Sequence, residues 1–243
     1  MALPNAWPHE ATVSRIAPRR RELPAPTLSQ RWWGLDWRDV LPFHLDGARA
    51  DFATMADVLP FVKEYYPAIF GAKDVESRFL ESPMTEAKRR YFAEMDFFQF
   101  RVDGEAAGVF MAHPWDWNSY YLRSTGILPQ YRERGLMSQF FDRLDEPLRA
   151  VGVERIEAEV SPANTPIIRV LAGHGYIVTG QVASERWGLL LRYTKFLSQG
   201  ASAVFRRQYT AMSIAKRREP QQRGVGHEEV RPRDDLSSSR SKV

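Results

Sequence analysis

The stretch QYRERGLMSQF, Gln130 to Phe140, sets two arginines and a glycine directly in front of an apolar run with helical spacing. The first N–H groups of a helix have no partner inside it, and they carry the positive end of its dipole. Gly135 removes the side chain that would keep a phosphate away from those amides, and Arg132 and Arg134 supply charged donors beside it. The chemistry of such a corner is anion binding, and a diphosphate-bearing cofactor suits it. Read by itself the same pattern also describes a solvated turn.

Other groups with chemical potential lie on the segments around this corner. Tyr120 and Tyr121 are adjacent on a strand, so one of the two faces away from the core. Glu157 and Glu159 share one face of the strand-like run RIEAEV; a buried carboxylate there would have a raised pKa suited to a base, and a salt-bridged acidic face is the alternative. His113 and His174 could serve as acid–base groups, since histidine is the side chain suited to that role near neutral pH, or as structural groups. The scattered Asp, Glu and His show no metal-ligand spacing, so no metal is expected. The absence of cysteine excludes disulfides, thiolate metal sites and a cysteine nucleophile.

The elements that must position these groups follow from periodicity. A short apolar strand over 40–45 precedes a helix in which Phe52, Met55, Leu59, Val62 and Tyr66 share a face. Ser82-Pro83 or Thr85 opens a second helix, TEAKRRYFAEM. DFFQFRV and EAAGVFMAH flank Asp103-Gly104 as a hairpin, and SYYLRSTGIL is a third strand in that region. Met137, Phe140, Phe141, Leu144 and Leu148 predict a helix that Pro147 kinks or shortens. RIEAEV, a short helix capped at Asn164 or Thr165, and the strands YIVTGQV and WGLLLRYTKF complete an α/β domain with a mixed sheet of about seven strands flanked by helices.

This order of elements, with two of its segments, resembles the GNAT superfamily, the Gcn5-related N-acetyltransferases. In ILPQYRERGLM, Ile127, Pro129, Tyr131, Arg132, Arg134 and Gly135 match the family's first stretch in register; NTPIIRVLAGHGY, ending at Gly175-Tyr176, is similar to the second. The resemblance spans about Val40 to Leu197. It implies acetyl-CoA or a longer acyl-CoA bound where the central strand parts from its neighbour. Gly126 and Ile127 would pair with pantetheine, and Arg132, Arg134, Gly135, Leu136, Met137 and Ser138 would hold the pyrophosphate. Asn164 would be a further contact, with helix capping as its other reading. The family's usual base and acid positions are Tyr121 and Leu171 here. Leucine cannot donate a proton, so Tyr121 and Glu159 become the catalytic candidates.

Met137 stands where the family has a small residue, and as a flexible side chain it can turn into the core or line an acyl channel. With the aromatic segment EYYPAIF it leaves room for a longer acyl group, which an acyl carrier protein could deliver. The implied activity is transfer of an acetyl or longer acyl group from acyl-CoA to a small-molecule or peptide amine, by direct attack in a ternary complex. A catalytically inactive GNAT-like module that binds acyl-CoA or a carrier protein is the alternative. A homodimer is compatible with either reading.

The chain of 243 residues is 44% apolar, enough for a sizeable core. The net charge is +4, but the tail from 200 to 243, with ten Lys/Arg against five Asp/Glu, carries +5, which leaves −1 for the rest of the chain. Residues 1–35 are Pro/Arg-rich and expected to be irregular, 36–199 to form the acyltransferase domain, and 200–243 to be a basic, disordered tail. The tail's mixed charge argues against nucleic acid as a partner, though a basic docking arm for RNA or an acidic protein would show salt-sensitive binding. No apolar run reaches the roughly 18 residues of a membrane span, and a cytoplasmic location is expected.

Overall fold

The computed structural model describes residues 25–69, 85–184 and 187–218. Up to Ala203 the chain is one unit, built on an eight-stranded sheet in the order β1-β2-β3-β4-β5-β6-β8-β7. Its strands are β1 (Phe43–Leu45), β2 (Ala48–Ala53), β3 (Asp96–Val102), β4 (Glu105–Pro114), β5 (Ser119–Ile127), β6 (Arg155–Val160), β7 (Ile177–Ser184) and β8 (Gly188–Phe196). Every pair is antiparallel except β5 with β6. The helices are α1 (Leu28–Trp33), α2 (Trp37–Val40), α3 (Met55–Ile69), α4 (Glu86–Ala93), α5 (Leu136–Ala150), α6 (Thr165–Gly173) and α7 (Gln199–Arg218).

The sheet has one strand more than the sequence pattern suggests, because Phe52 belongs to β2, where it pairs with Phe98, and not to the following helix. Thr54 ends the strand: its hydroxyl accepts the Asp57 amide at 3.3 Å, and the Asp57 carboxylate accepts the Thr54 amide at 2.8 Å. This reciprocal cap starts α3 at Met55. Thr85 caps α4, accepting the Lys88 amide; the alternative start at Ser82-Pro83 lies outside the described residues. Asp103 and Gly104, with φ of 50° and 86°, make the tight β3–β4 turn that their residue types predict.

Alternation along the strands creates two cores. Phe98, Phe100, Phe110, Tyr120, Leu122 and Ile156 pack with Phe140, Phe141, Leu144 and Leu148 of α5, whereas Phe97, Val109 and Met111 pack with Val58, Phe61 and Val62 of α3. Pro147 neither ends nor shortens α5. Its lost backbone bond costs roughly 3 kcal/mol, but burying Leu144 and Leu148 on either side returns roughly 1.5–3 kcal/mol each.

The tryptophan-rich segment and the helix α1 that opens it are tied to the sheet. Ser29 of α1 donates to the Asp96 carboxylate on β3, the Leu28 amide donates to Glu94 O at 2.6 Å, and Trp37 is fully buried against Phe98 and Tyr120. Residues from Val204 onward form a separate unit, whose described part is helical through Arg218 where the sequence reading expects disorder. The repeated alanines among Gln, Met and basic residues account for that helix by propensity. The end of the tail, 219–243, lies outside the described residues.

Burial of Asp96 pushes its pKa from 3.8 to about 6, against donation from Ser29 and Tyr120. A carboxyl whose pKa is raised on folding adds stability below its unfolded pKa and loses it as pH rises through the folded value. Asp96→Asn should remove that dependence. At about 1.4 kcal/mol per unit, wild type should lose about 3 kcal/mol relative to the variant between pH 3 and pH 7, measured by urea unfolding.

Candidate active site

β5 and β6 are paired only from Ser119↔Arg155 to Leu122↔Ala158. Beyond that, β5 follows β4 as far as Ile127, and β6 follows β8 as far as Val160. A register shift opposite Met111 and Ala112 leaves Arg123 as the extra residue of β5, where the strand bends away. The result is a V-shaped opening between parallel neighbours. One arm ends at Gly126 and Ile127. A Cβ on Gly126 would come 3.0 Å from Ile69 and 3.1 Å from Tyr66, so glycine lets α3 close on this arm.

The corner after β5 consists of a 3-10 turn, Pro129–Tyr131, followed by Glu133 and Gly135 in left-handed conformation with φ of 61° and 71°. This turn directs α5 back along the sheet. No side chain caps α5, so the amides of Gly135, Leu136, Met137 and Ser138 begin the helix without a side-chain acceptor. Arg134 stacks over the Tyr131 ring, with 5.4 Å from Cζ to the centroid. Arg132 Nε donates 2.9 Å to the Ile127 carbonyl, so this arginine braces the corner on the strand, and a ligand amide would share that oxygen with it. Leu136 is buried in the core. Met137 is also turned into the core, its Sδ 3.4 Å from the Thr125 hydroxyl, which resolves the question its bulk raises.

Ser138 Oγ lies 2.8 Å from His174 Nε2, and His174 Nδ1 lies 3.2 Å from Asp142 Oδ1. His174 is therefore not isolated: it ties the end of α6 to the first turn of α5. Asn164 occupies the N-cap position of α6 but makes no capping bond, and it is exposed. Leu171 is buried in the main core.

At the apex of the V, Tyr121 Oη lies 3.5 Å from Glu159 Oε2, and Arg192 of β8 donates to Glu159 Oε1 at 2.6 and 3.2 Å. Burial, reinforced by the charge of Glu159, raises Tyr121 to about 12, so the phenol keeps its proton at neutral pH. Glu157 is nearly buried, and desolvation raises its pKa. Arg155 Nε approaches it at 3.2 Å without hydrogen-bond alignment. His113 is buried and pushed toward its neutral form by desolvation; its Nδ1 donates to Pro114 O at 2.7 Å. The apex thus brings together a proton-holding phenol and two carboxylates in different environments. Among the described residues no three His, Asp or Glu gather as a metal site, and no helix is long and apolar enough to cross a membrane.

The model of the acetyltransferase (GNAT) family matches residues 57–176, a segment containing the V, the corner and α6. The core domain belongs to the GNAT superfamily. Among solved structures, ribosomal-protein-S5-alanine acetyltransferase from Vibrio fischeri is 14% identical, covers 65% of this chain and 98% of its own, and superposes with a TM-score of 0.50, which supports the fold. Similar at lower TM-scores of 0.48 are yncA from Salmonella typhimurium, solved with its cofactor acetyl-CoA (19% identity, 63% and 95% covered), and an N-acetyltransferase from Staphylococcus aureus (18%, 62% and 99%).

In this GNAT domain the expected cofactor residues Gly126 to Ser138 are contiguous along the V and its corner, and Tyr121 and Glu159 meet at the apex. Sequence reasoning missed Arg192. It pairs through a strand distant in sequence, and nothing in WGLLLRYTKF singles it out. Gly135→Ala should cost about 1 kcal/mol in urea unfolding, a conformational cost only, since the added Cβ meets nothing closer than Gln139 Nε2 at 3.5 Å.

Proposed function

We propose that the protein is a CoA-dependent N-acyltransferase that moves an acetyl group to an amine by direct attack within a ternary complex. The observation that carries this reading is the parting of β5 from β6 immediately beside the uncapped start of α5, within a GNAT domain. The family's acetyltransferase character and the acetyl-CoA in the yncA structure support the donor.

In this proposal the amides of Gly135 to Ser138 and the Arg134 guanidinium hold the pyrophosphate, Arg132 fixes the corner, and Gly126 and Ile127 pair with pantetheine. Asn164, exposed and free of a capping bond, is a further contact. Tyr66 and Ile69 crowd Gly126, and Met137 is turned into the core, which favours a short acyl group over a long one. Acetyl-CoA supplies the thioester. As the amine nitrogen bonds to the carbonyl carbon and the C–S bond breaks, the Tyr121 phenol is the proton source for the departing thiolate. The carboxylates of β6 take the amine proton; Glu157 has the raised pKa a base requires, and Glu159, held by Arg192, orients Tyr121.

A module that binds acyl-CoA without turnover is the second reading. The observations that favour it are the burial of Leu171 at the family's usual acid position and the Arg192 pairing of Glu159.

Calorimetric titration with acetyl-CoA tests the site. Wild type should bind, and Gly135→Asp, which places a carboxylate beside the pyrophosphate amides, should bind at least about tenfold more weakly while remaining folded by circular dichroism. Failure of the folded wild type to bind would defeat both readings. Tyr121→Phe separates them. It should lower kcat by about 10²-fold or more with little change in acetyl-CoA affinity, whereas a binding module would bind acetyl-CoA and release no CoA with any amine.

A further inference from the structure

Tyr91 on α4, His113 and Trp115 at the end of β4, and Tyr121 on β5 form a continuous aromatic patch on the α3 side of the sheet. Ring centroids are 5.7 Å apart for Tyr91–His113, 6.0 Å for His113–Trp115 and 4.4 Å for Trp115–Tyr121. Trp115 and Tyr91 leave more than two fifths of their surface to solvent, although both belong to a patch with a buried floor. The patch borders the apex where Tyr121 meets Glu159, at the end of the β4–β5 ladder opposite Ile127.

Arg123, the bulge residue of β5, stands at this border. It is exposed, and its Cζ lies 5.1 Å over the Phe92 ring of α4. Its charge acts on Tyr66, Tyr91, His113 and Tyr121, which places it on the same face as the aromatic patch. Two of the neighbouring carboxylates are paired elsewhere, Glu159 by Arg192 and Asp116 by Arg155. Among the described residues no carboxylate comes within ion-pair distance of Arg123. A cation left beside exposed aromatic rings, one strand away from two carboxylates, is complementary to a ligand with a flat apolar body, an anionic group and an amine.

We infer that the acceptor is an amine carrying its own carboxylate and an aromatic side group, an aromatic amino acid or the end of a peptide bearing one. Arg123 takes the carboxylate, the patch takes the ring, and the amine faces the carboxylates of β6. This rests on the acyltransferase reading and narrows it. It also gives Arg123 a specificity role that composition and motif spacing do not reveal.

The test uses the full chain, acetyl-CoA and matched acceptors that differ only in the carboxylate: L-tryptophan against tryptamine, and L-phenylalanine against phenethylamine, with CoA release as the readout. The carboxylate-bearing member of each pair should be favoured by about tenfold or more in kcat/KM, through KM. Arg123→Gln should bring the ratio close to one, and Arg123→Lys should recover part of it. Equal use of both members, a preference that survives in Arg123→Gln, or acetyl-CoA binding with no turnover of any carboxylate-bearing acceptor would overturn the inference while leaving the cofactor site standing. Absence of acetyl-CoA binding would instead defeat the acyltransferase reading on which it rests.

Discussion

Two parallel strands that each follow a different antiparallel partner cannot stay paired along their whole length, and the site depends on where β5 and β6 let go of one another. Below Leu122↔Ala158 they share a ladder. Above it, the bulge at Arg123 takes β5 with β4 while β6 continues along β8, and backbone groups that would be spent on a ladder become free to meet a ligand. The same departure sends the chain into the corner at 129–135, and so the start of α5 arrives beside the opening. In the proposed reading, pantetheine pairing and pyrophosphate binding would both follow from this one backbone event.

Electrostatics at the apex sort groups that look alike in sequence. Tyr120 and Tyr121 are neighbours, yet Tyr120 is wholly buried with its hydroxyl on Asp96, and only Tyr121 reaches the opening. Glu157 and Glu159 differ by one pleat repeat, yet Arg192 grips one while burial raises the pKa of the other. In each pair the two environments differ because strand side chains alternate and because Arg192 of β8 hydrogen-bonds Glu159 and not Glu157.

The fold was legible wherever a residue type fixes local geometry. Asp103-Gly104 can only be a tight turn, Thr85 caps a helix, and the apolar spacing from Met137 to Leu148 survives Pro147 because the buried leucines outweigh it. Phe52 misled because one aromatic fits a helical period and a strand alternation equally well, and the Thr54–Asp57 cap that decides between them is a side-chain bond. The corner was legible because glycine at φ 71° and the arginines around it leave a pattern in the sequence. Arg132 bracing Ile127, His174 bridging Ser138 to Asp142, and Arg192 on Glu159 were not, since each joins segments whose approach is set only by the folded sheet. Helix α7 was missed because the basic charge of the tail obscured the helix propensity of its first half.

The central claim is that the parted strands and the uncapped start of α5 act together as one acyl-CoA site. Amide hydrogen exchange of the full chain, with and without saturating acetyl-CoA, reads it most directly, because the groups at issue are backbone N–H. The account predicts slowed exchange at Gly135 to Ser138 and along Gly126–Ile127, with β7 and the face of α4 unchanged. Protection at a different part of the sheet, or saturation that leaves those amides exchanging as before, would contradict it.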